Sequence, residues 1–195
     1  MKKHIVALGI GALTLTLGIT GCSAASSTAP SPSASASSSA IGAADVMFAT
    51  MMIPHHQQAI QMADIIGDKT DVDPRVSALA ERISQAQGPE IERMQGWLSA
   101  WGVASDADSA NMGGMHHGMS GMLSEDDLAR LEAAPGSEAG RLFVEQMIAH
   151  HEGAIEMART ALDGAQSVEV LELAQQVIDD QTTEIDEMRE LLGTL

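Results

Sequence analysis

From Phe48 onward, apolar residues recur at intervals of three and four. At 100° per residue, with His55 as reference, Phe48, Met51, Met52, Ala59, Met62 and Ile66 fall within about 60° of it, while Thr50, Gln57, Gln61 and Asp64 point away. This pattern predicts an amphipathic helix that ends near Gly67. A second helix is expected from Asp73-Pro74, a cap followed by proline at the first helical position, to Trp101-Gly102. A third is centred on His150, with Ser137 as its expected N-cap and Gly164 near its end, and a fourth runs from about Ser167 to Leu192. Between them, Ser124-Glu125-Asp126-Asp127 opens a short capped helix that closes at Pro135-Gly136.

The chain repeats itself. FATMMIPHHQQAIQMA (Phe48 to Ala63) returns as FVEQMIAHHEGAIEMA (Phe143 to Ala158), displaced by 95 residues. At a shift of 94, Gln87, Glu90, Ile91, Met94 and Leu98 reappear as Gln181, Glu184, Ile185, Met188 and Leu192. Each half is thus one helical hairpin that buries its apolar face against the other. The fold class expected is all-α, an antiparallel four-helix bundle made of two repeated hairpins over residues 45–195. Pro54 lies inside the first helix, where it removes an N–H donor; the second repeat has Ala149 there. Two readings stand side by side, a tolerated kink and a kink that aims the adjacent histidines.

Carboxylates interrupt the apolar stripes of the second and fourth helices. Val76, Leu79, Ile83, Met94, Trp97 and Trp101 lie within about 40° of Glu90, and Glu184 is equally central to Val170, Leu173, Val177, Met188 and Leu191. A buried carboxylate costs several kcal/mol unless paired. His55 and His150, central on their own helices, are the expected partners. Di-iron bundles place Glu-x-x-His on two helices and Glu on the others. Here Met52 and Met147 stand where the first glutamates would be, with Met94 and Met188 one turn beyond Glu90 and Glu184. Thioether with imidazole favours copper, especially Cu(I), over iron, with other transition metals open. The competing account is a metal-free core of hydrogen-bonded His–Glu pairs filled by methionine. His56 and His151, about 100° from the central histidines, are expected at the stripe's edge, as secondary ligands or half-exposed residues.

The connector over residues 103–123 contains NMGGMHHGMSGM, Asn111 to Met122. A glycine-rich loop presents no stiff core face, so packing does not account for Met112, Met115, Met119 and Met122. With His116 and His117 they form a candidate capture site for Cu(I), Ag(I) or Cu(II); the other reading is a linker of accidental composition.

The N-terminus is an address. Lys2 and Lys3, an apolar run from Ile5 to Ile19 and then Ile19-Thr20-Gly21-Cys22 fit a lipoprotein signal peptide over residues 1–21, with Cys22 as the acylation site. A plain signal peptide cut elsewhere is the alternative. Residues 22–44, mostly Ser, Ala, Thr, Pro and Gly, are expected to be a flexible tether. The expected location is extracytoplasmic, anchored to the membrane through the lipid on Cys22.

Composition sharpens this picture. Of 195 residues, 13 are Met against two Phe and two Trp, and a single Cys excludes an intramolecular disulfide framework. Ten Lys+Arg against 27 Asp+Glu leave a formal charge of −17, which argues against nucleic acid as partner and favours cations near the surface. No nucleophile triad, phosphate loop or nucleotide fingerprint is present to support a hydrolase or kinase.

The IPHHQQAIQMA and MIAHHEGAIEMA segments, each followed by an EIxxM helix, resemble domain-of-unknown-function family 305 from about residue 45 to 195. The resemblance implies a ferritin-like four-helix bundle, often on exported proteins, with some members associated with copper binding or tolerance. It carries over His55, His56, Met62, His150, His151 and Met157. The leading expectation is a non-enzymatic, membrane-tethered protein that sequesters or transfers copper. The alternatives are a ferritin-like metal-dependent oxidase and a metal-free structural or interaction lipoprotein.

Overall fold

The computed structural model describes residues 41–103 and 120–195. The signal segment 1–21, Cys22, the tether to residue 40 and the connector residues Met112, Met115, His116, His117 and Met119 lie outside the described residues. The described chain is all helical: α1 (Ala43–Gly67), α2 (Pro74–Ala100), α3 (Glu125–Ala133), α4 (Gly136–Gly164) and α5 (Val168–Leu192). None of these is long and apolar enough to cross a membrane.

Local chemistry explains most of the boundaries. Asp73 accepts from the Arg75 N–H at 2.8 Å ahead of Pro74, and Ser124 accepts from the Asp127 N–H, so both expected caps form. Ser137, expected to cap the helix after Pro135-Gly136, lies within α4 instead; Pro135 is the cap residue. The early start lets Gly136 sit against the α1–α2 turn, where a Cβ would meet the Thr70 carbonyl oxygen at 1.9 Å. The start of α1 is fixed by Asp45, which is fully buried. Its carboxylate accepts from the N–H of Gly42 at 2.7 Å and from those of Gln166 and Ser167 in the α4–α5 turn. One side chain therefore caps α1 and ties it to the other half of the molecule. Pro54 is accommodated inside α1, and a second interior proline, Pro89, lies in α2.

α1 packs against α2, α4 against α5, and α1 against α4, so the two hairpins meet along their first helices. Each hairpin is antiparallel. The C-terminal half of α1 (Ala59, Met62, Ile66) shares an apolar cluster with the N-terminal half of α2 (Val76, Leu79, Ile83), and α4 and α5 are matched likewise. Ion pairs Arg82–Glu187 and Arg189–Glu152 bridge helices at the surface. Such exposed pairs contribute about 0–1 kcal/mol each, so burial holds the bundle together.

Candidate metal centre

The apolar interior is two clusters, not one. The first holds Met62, Ile66, Leu79, Ile83, Phe143, Met147 and Met188; the second holds Phe48, Met52, Met94, Leu98, Leu173 and Val177. Between them, at mid-length, every long helix supplies polar residues: His55 and His56 from α1, Gln87 and Glu90 from α2, His150 and His151 from α4, Gln181 and Glu184 from α5. All four histidines are fully buried.

The pairing within this layer differs from the one expected. His55 and His150 do not meet the glutamates; their rings lie against each other, with centroids 3.8 Å apart. His56 Nε2 instead donates to Glu90 Oε2 at 2.7 Å, and His151 Nε2 to Glu184 Oε2 at 2.7 Å. The reason is that α1 and α4 are each covered on two sides. His55 and His150 face the partner hairpin, and the residue about 100° further round faces the helix of its own hairpin. His56 and His151 are accordingly core residues and not edge residues. The glutamate side chains, expected in the middle of the core, retain 15% and 23% exposure. Partial hydration spares them some of the cost of a buried charge.

These hydrogen bonds fix the tautomers. A carboxylate only accepts, so Nε2 of His56 and His151 carries the proton in these bonds, and in the neutral ring Nδ1 holds the lone pair. His55 Nε2 faces the Ser120 carbonyl at 3.3 Å and is likewise protonated, which leaves its Nδ1 as the lone-pair nitrogen. All three Nδ1 atoms, and both nitrogens of His150, are buried without a hydrogen-bond partner, as are the Oε1 atoms of Gln87 and Gln181. Burial, with the nearby imidazole of His56, lowers His55 to a pKa of about 3; burial and His55 push His150 well below the usual histidine range. Both rings are neutral donors at neutral pH. An imidazole held by a carboxylate through one nitrogen, with the other free, is the arrangement that tunes histidine as a metal ligand.

Thioethers surround the layer. Met52, Met94, Met147 and Met188 are fully buried one turn from the histidines and glutamates, and Met62 is buried in the first cluster. Met157 is half-buried at the surface. Imidazole nitrogen and thioether sulphur together suit Cu(I), Cu(II) or Ag(I) in chemistry. Among the described residues, however, no three His, Cys, Asp or Glu side chains are gathered into a group able to hold an ion.

The end of the connector is seated against this layer. Gln58 donates from Nε2 to the Leu123 carbonyl at 3.0 Å and accepts the Leu123 N–H at 2.8 Å. Gly121, at φ +80°, and Gly153 let backbone meet backbone: a Cβ on Gly153 would meet the Ser120 carbonyl oxygen at 2.0 Å. Met122, half-buried, belongs to this seat on the side of Ala149. Gln58 and Gly153 occupy equivalent repeat positions and are a mismatch between the repeats, which was the available signal for a crossing chain. Gln87 and Gln181 had the opposite signal, a polar match on an apolar face.

The family model for a domain of unknown function, DUF305, matches residues 45–192. No curated protein matches the chain. Among solved structures, a DUF305 protein from Streptomyces coelicolor, provisionally classed as secreted, is similar at 34% identity over 77% of this chain and 93% of that one, with a TM-score of 0.68. A DUF305 fragment from Deinococcus radiodurans is 31% identical over 80% of this chain and 99% of that one, with a TM-score of 0.68. The Cu(II)-bound form of the protein CopM is 33% identical over 77% of this chain and 96% of that one, with a TM-score of 0.65. CopM has also been solved with Cu(I) and with silver. With a family match across both histidine repeats, the chain belongs to the DUF305 family.

Proposed function

We propose that this chain is an extracytoplasmic copper-binding lipoprotein that sequesters the metal or passes it on, and that it is not an enzyme. The observation that carries the reading is the polar layer: four buried imidazoles, two of them held by glutamates, with unpartnered nitrogens beside four buried thioethers. CopM, which shares the fold and about a third of its sequence, binds copper and silver in its solved forms and supports the choice of ion.

In this reading His55, His56, His150 and His151 supply nitrogen and Met52, Met94, Met147 and Met188 supply sulphur, while Glu90 and Glu184 orient histidines and are not ligands themselves. Met112, Met115, His116, His117, Met119 and Met122 of the connector capture the ion first, and the Gln58 seat ties that segment to the bundle at the histidine level. Cys22 carries the lipid, and the tether, expected to run from residue 22 to 44, ends before α1 begins at Ala43. The negative charge concentrates cations near the surface.

The test is an anaerobic Cu(I) titration of the chain against a competing chelator, beside a variant with the six connector ligands changed to Ser. The expected result is fewer ions bound by the variant. A wild-type chain that binds no more than the variant would overturn capture by the connector. A second reading, a metal-free structural bundle, rests on the absence of a three-ligand group among the described residues. It predicts a melting temperature that no transition metal moves.

A further inference from the structure

Three methionines lie together outside the layer and outside the connector. Met47 and Met51 are one turn apart on the same face of α1, and Met157 comes from α4, which packs beside it; the three line one open surface groove with Phe48, Ser120 and Glu156. Met47 is 56% exposed, and Met51 and Met157 are half-buried, so their side chains reach solvent.

Packing does not call for this arrangement. In the second repeat the equivalents of Met47 and Met51 are Leu142 and Gln146, so the bundle is built equally well without thioethers there. Met62, the equivalent of Met157, is fully buried. The exposed thioether set, drawn from both halves, thus has no copy at the equivalent positions Leu142, Gln146 and Met62. Ser120 joins this groove to the layer: it lines the groove and its carbonyl accepts from His55.

We propose that Met47, Met51 and Met157 form a surface site for one soft monovalent ion, Cu(I) or Ag(I), next to the His55–His150 pair. Three neutral thioethers from two helices offer the sulphur-rich coordination that soft ions prefer, and they are poor ligands for hard or divalent ions. Glu156 at the rim adds a carboxylate that offsets the ion's charge. The site rests on reading the chain as a soft-metal binder, yet needs neither the connector nor the imidazoles.

The experiment uses the full chain with the six connector ligands changed to Ser, labelled with ¹³C at the methionine methyls and titrated with Ag(I), which is diamagnetic and stays monovalent. The methyl signals of Met47, Met51 and Met157, assigned through single Met→Leu variants, are expected to shift together and saturate with one ion. Zn(II) is expected to leave them in place. Met47→Leu, an exposed and nearly isosteric change, should weaken this event at least tenfold without altering helicity. Three methyls that stay still or move independently, a Zn(II) response of equal size, or an unchanged affinity in Met47→Leu would overturn the site. Loss of connector capture in the chelator competition would leave these signals untouched, so the two readings fail separately.

Discussion

The two halves of the molecule share a site and differ in what surrounds it. His56–Glu90 and His151–Glu184 are the same hydrogen bond at the same length, and each half places two buried methionines one turn away, Met52 and Met94 in one cluster and Met147 and Met188 in the other. Around that constant part, Pro54 faces Ala149 in the alignment, Pro89 faces Thr183, Gln58 faces Gly153 and Met47 faces Leu142. The difference shows which features the bundle centre requires in duplicate and which serve a single chain crossing. Gln58 holds the connector and Gly153 makes room for it, so one seat is built from unlike halves of one repeat.

The largest expected effect concerns what the halves share. The folded state keeps His55 neutral to a pKa of about 3, with His150 depressed as well, whereas an unfolded histidine titrates near 6.5. Below pH 6.5 the unfolded chain takes up protons that the native chain refuses. Stability contributed by the neutral His55 ring is therefore complete above pH 6.5 and falls as the pH drops toward 3, by about 1.4 kcal/mol per unit, and His150 adds a loss of the same sign. Urea unfolding across this range should show the loss, and His55→Asn should make it shallower, leaving the share of His150. A profile level from pH 7 to 4 would contradict the burial of neutral imidazoles.

Next in size is the seat, where the halves differ. Gly153→Ala forces a Cβ onto the Ser120 carbonyl and should cost about 2–3 kcal/mol. Gly96→Ala, a helical position with nothing within 4 Å, should gain up to about 1 kcal/mol. Equal effects in thermal unfolding would dismiss the seat. Glu90→Leu and Glu184→Leu each strand a buried imidazole N–H and should cost about 1–3 kcal/mol, alike in both halves. Costs that differ widely between them would break the equivalence of the repeats. The smallest effect is Pro54→Ala, which gives the first repeat the residue of the second. It restores a helical N–H donor and should raise stability by about 1 kcal/mol, read as a shift in the urea midpoint.

Most of the helical framework is legible in the sequence. The Phe48 and Phe143 segments and the stripes around Glu90 and Glu184 contain enough apolar spacing to mark the four long helices, and Asp73-Pro74 and Ser124 mark starts that the caps confirm. The histidine partners are not legible there. A helical wheel gives the direction of a side chain but not which neighbour covers it, and α1 has neighbours on two sides. His55 and His56 therefore exchange the roles expected of them. Ser137 fails as a cap because the contact between Gly136 and Thr70 sets the start of α4, and that contact spans the two hairpins. Asp45 escapes the sequence pattern for the same reason, since two of its partners, Gln166 and Ser167, lie more than a hundred residues away.

Whether the buried layer itself offers nitrogen and sulphur to copper is decided by X-ray absorption at the copper edge. The sample is the chain loaded anaerobically with Cu(I) after the six connector ligands and Met47, Met51 and Met157 have been replaced. Retained copper with both imidazole nitrogen and thioether sulphur in its shell, lost on combining His55→Asn with His150→Asn, is the predicted result. Copper that no longer binds, or that binds with oxygen alone, would contradict a metal site in the layer.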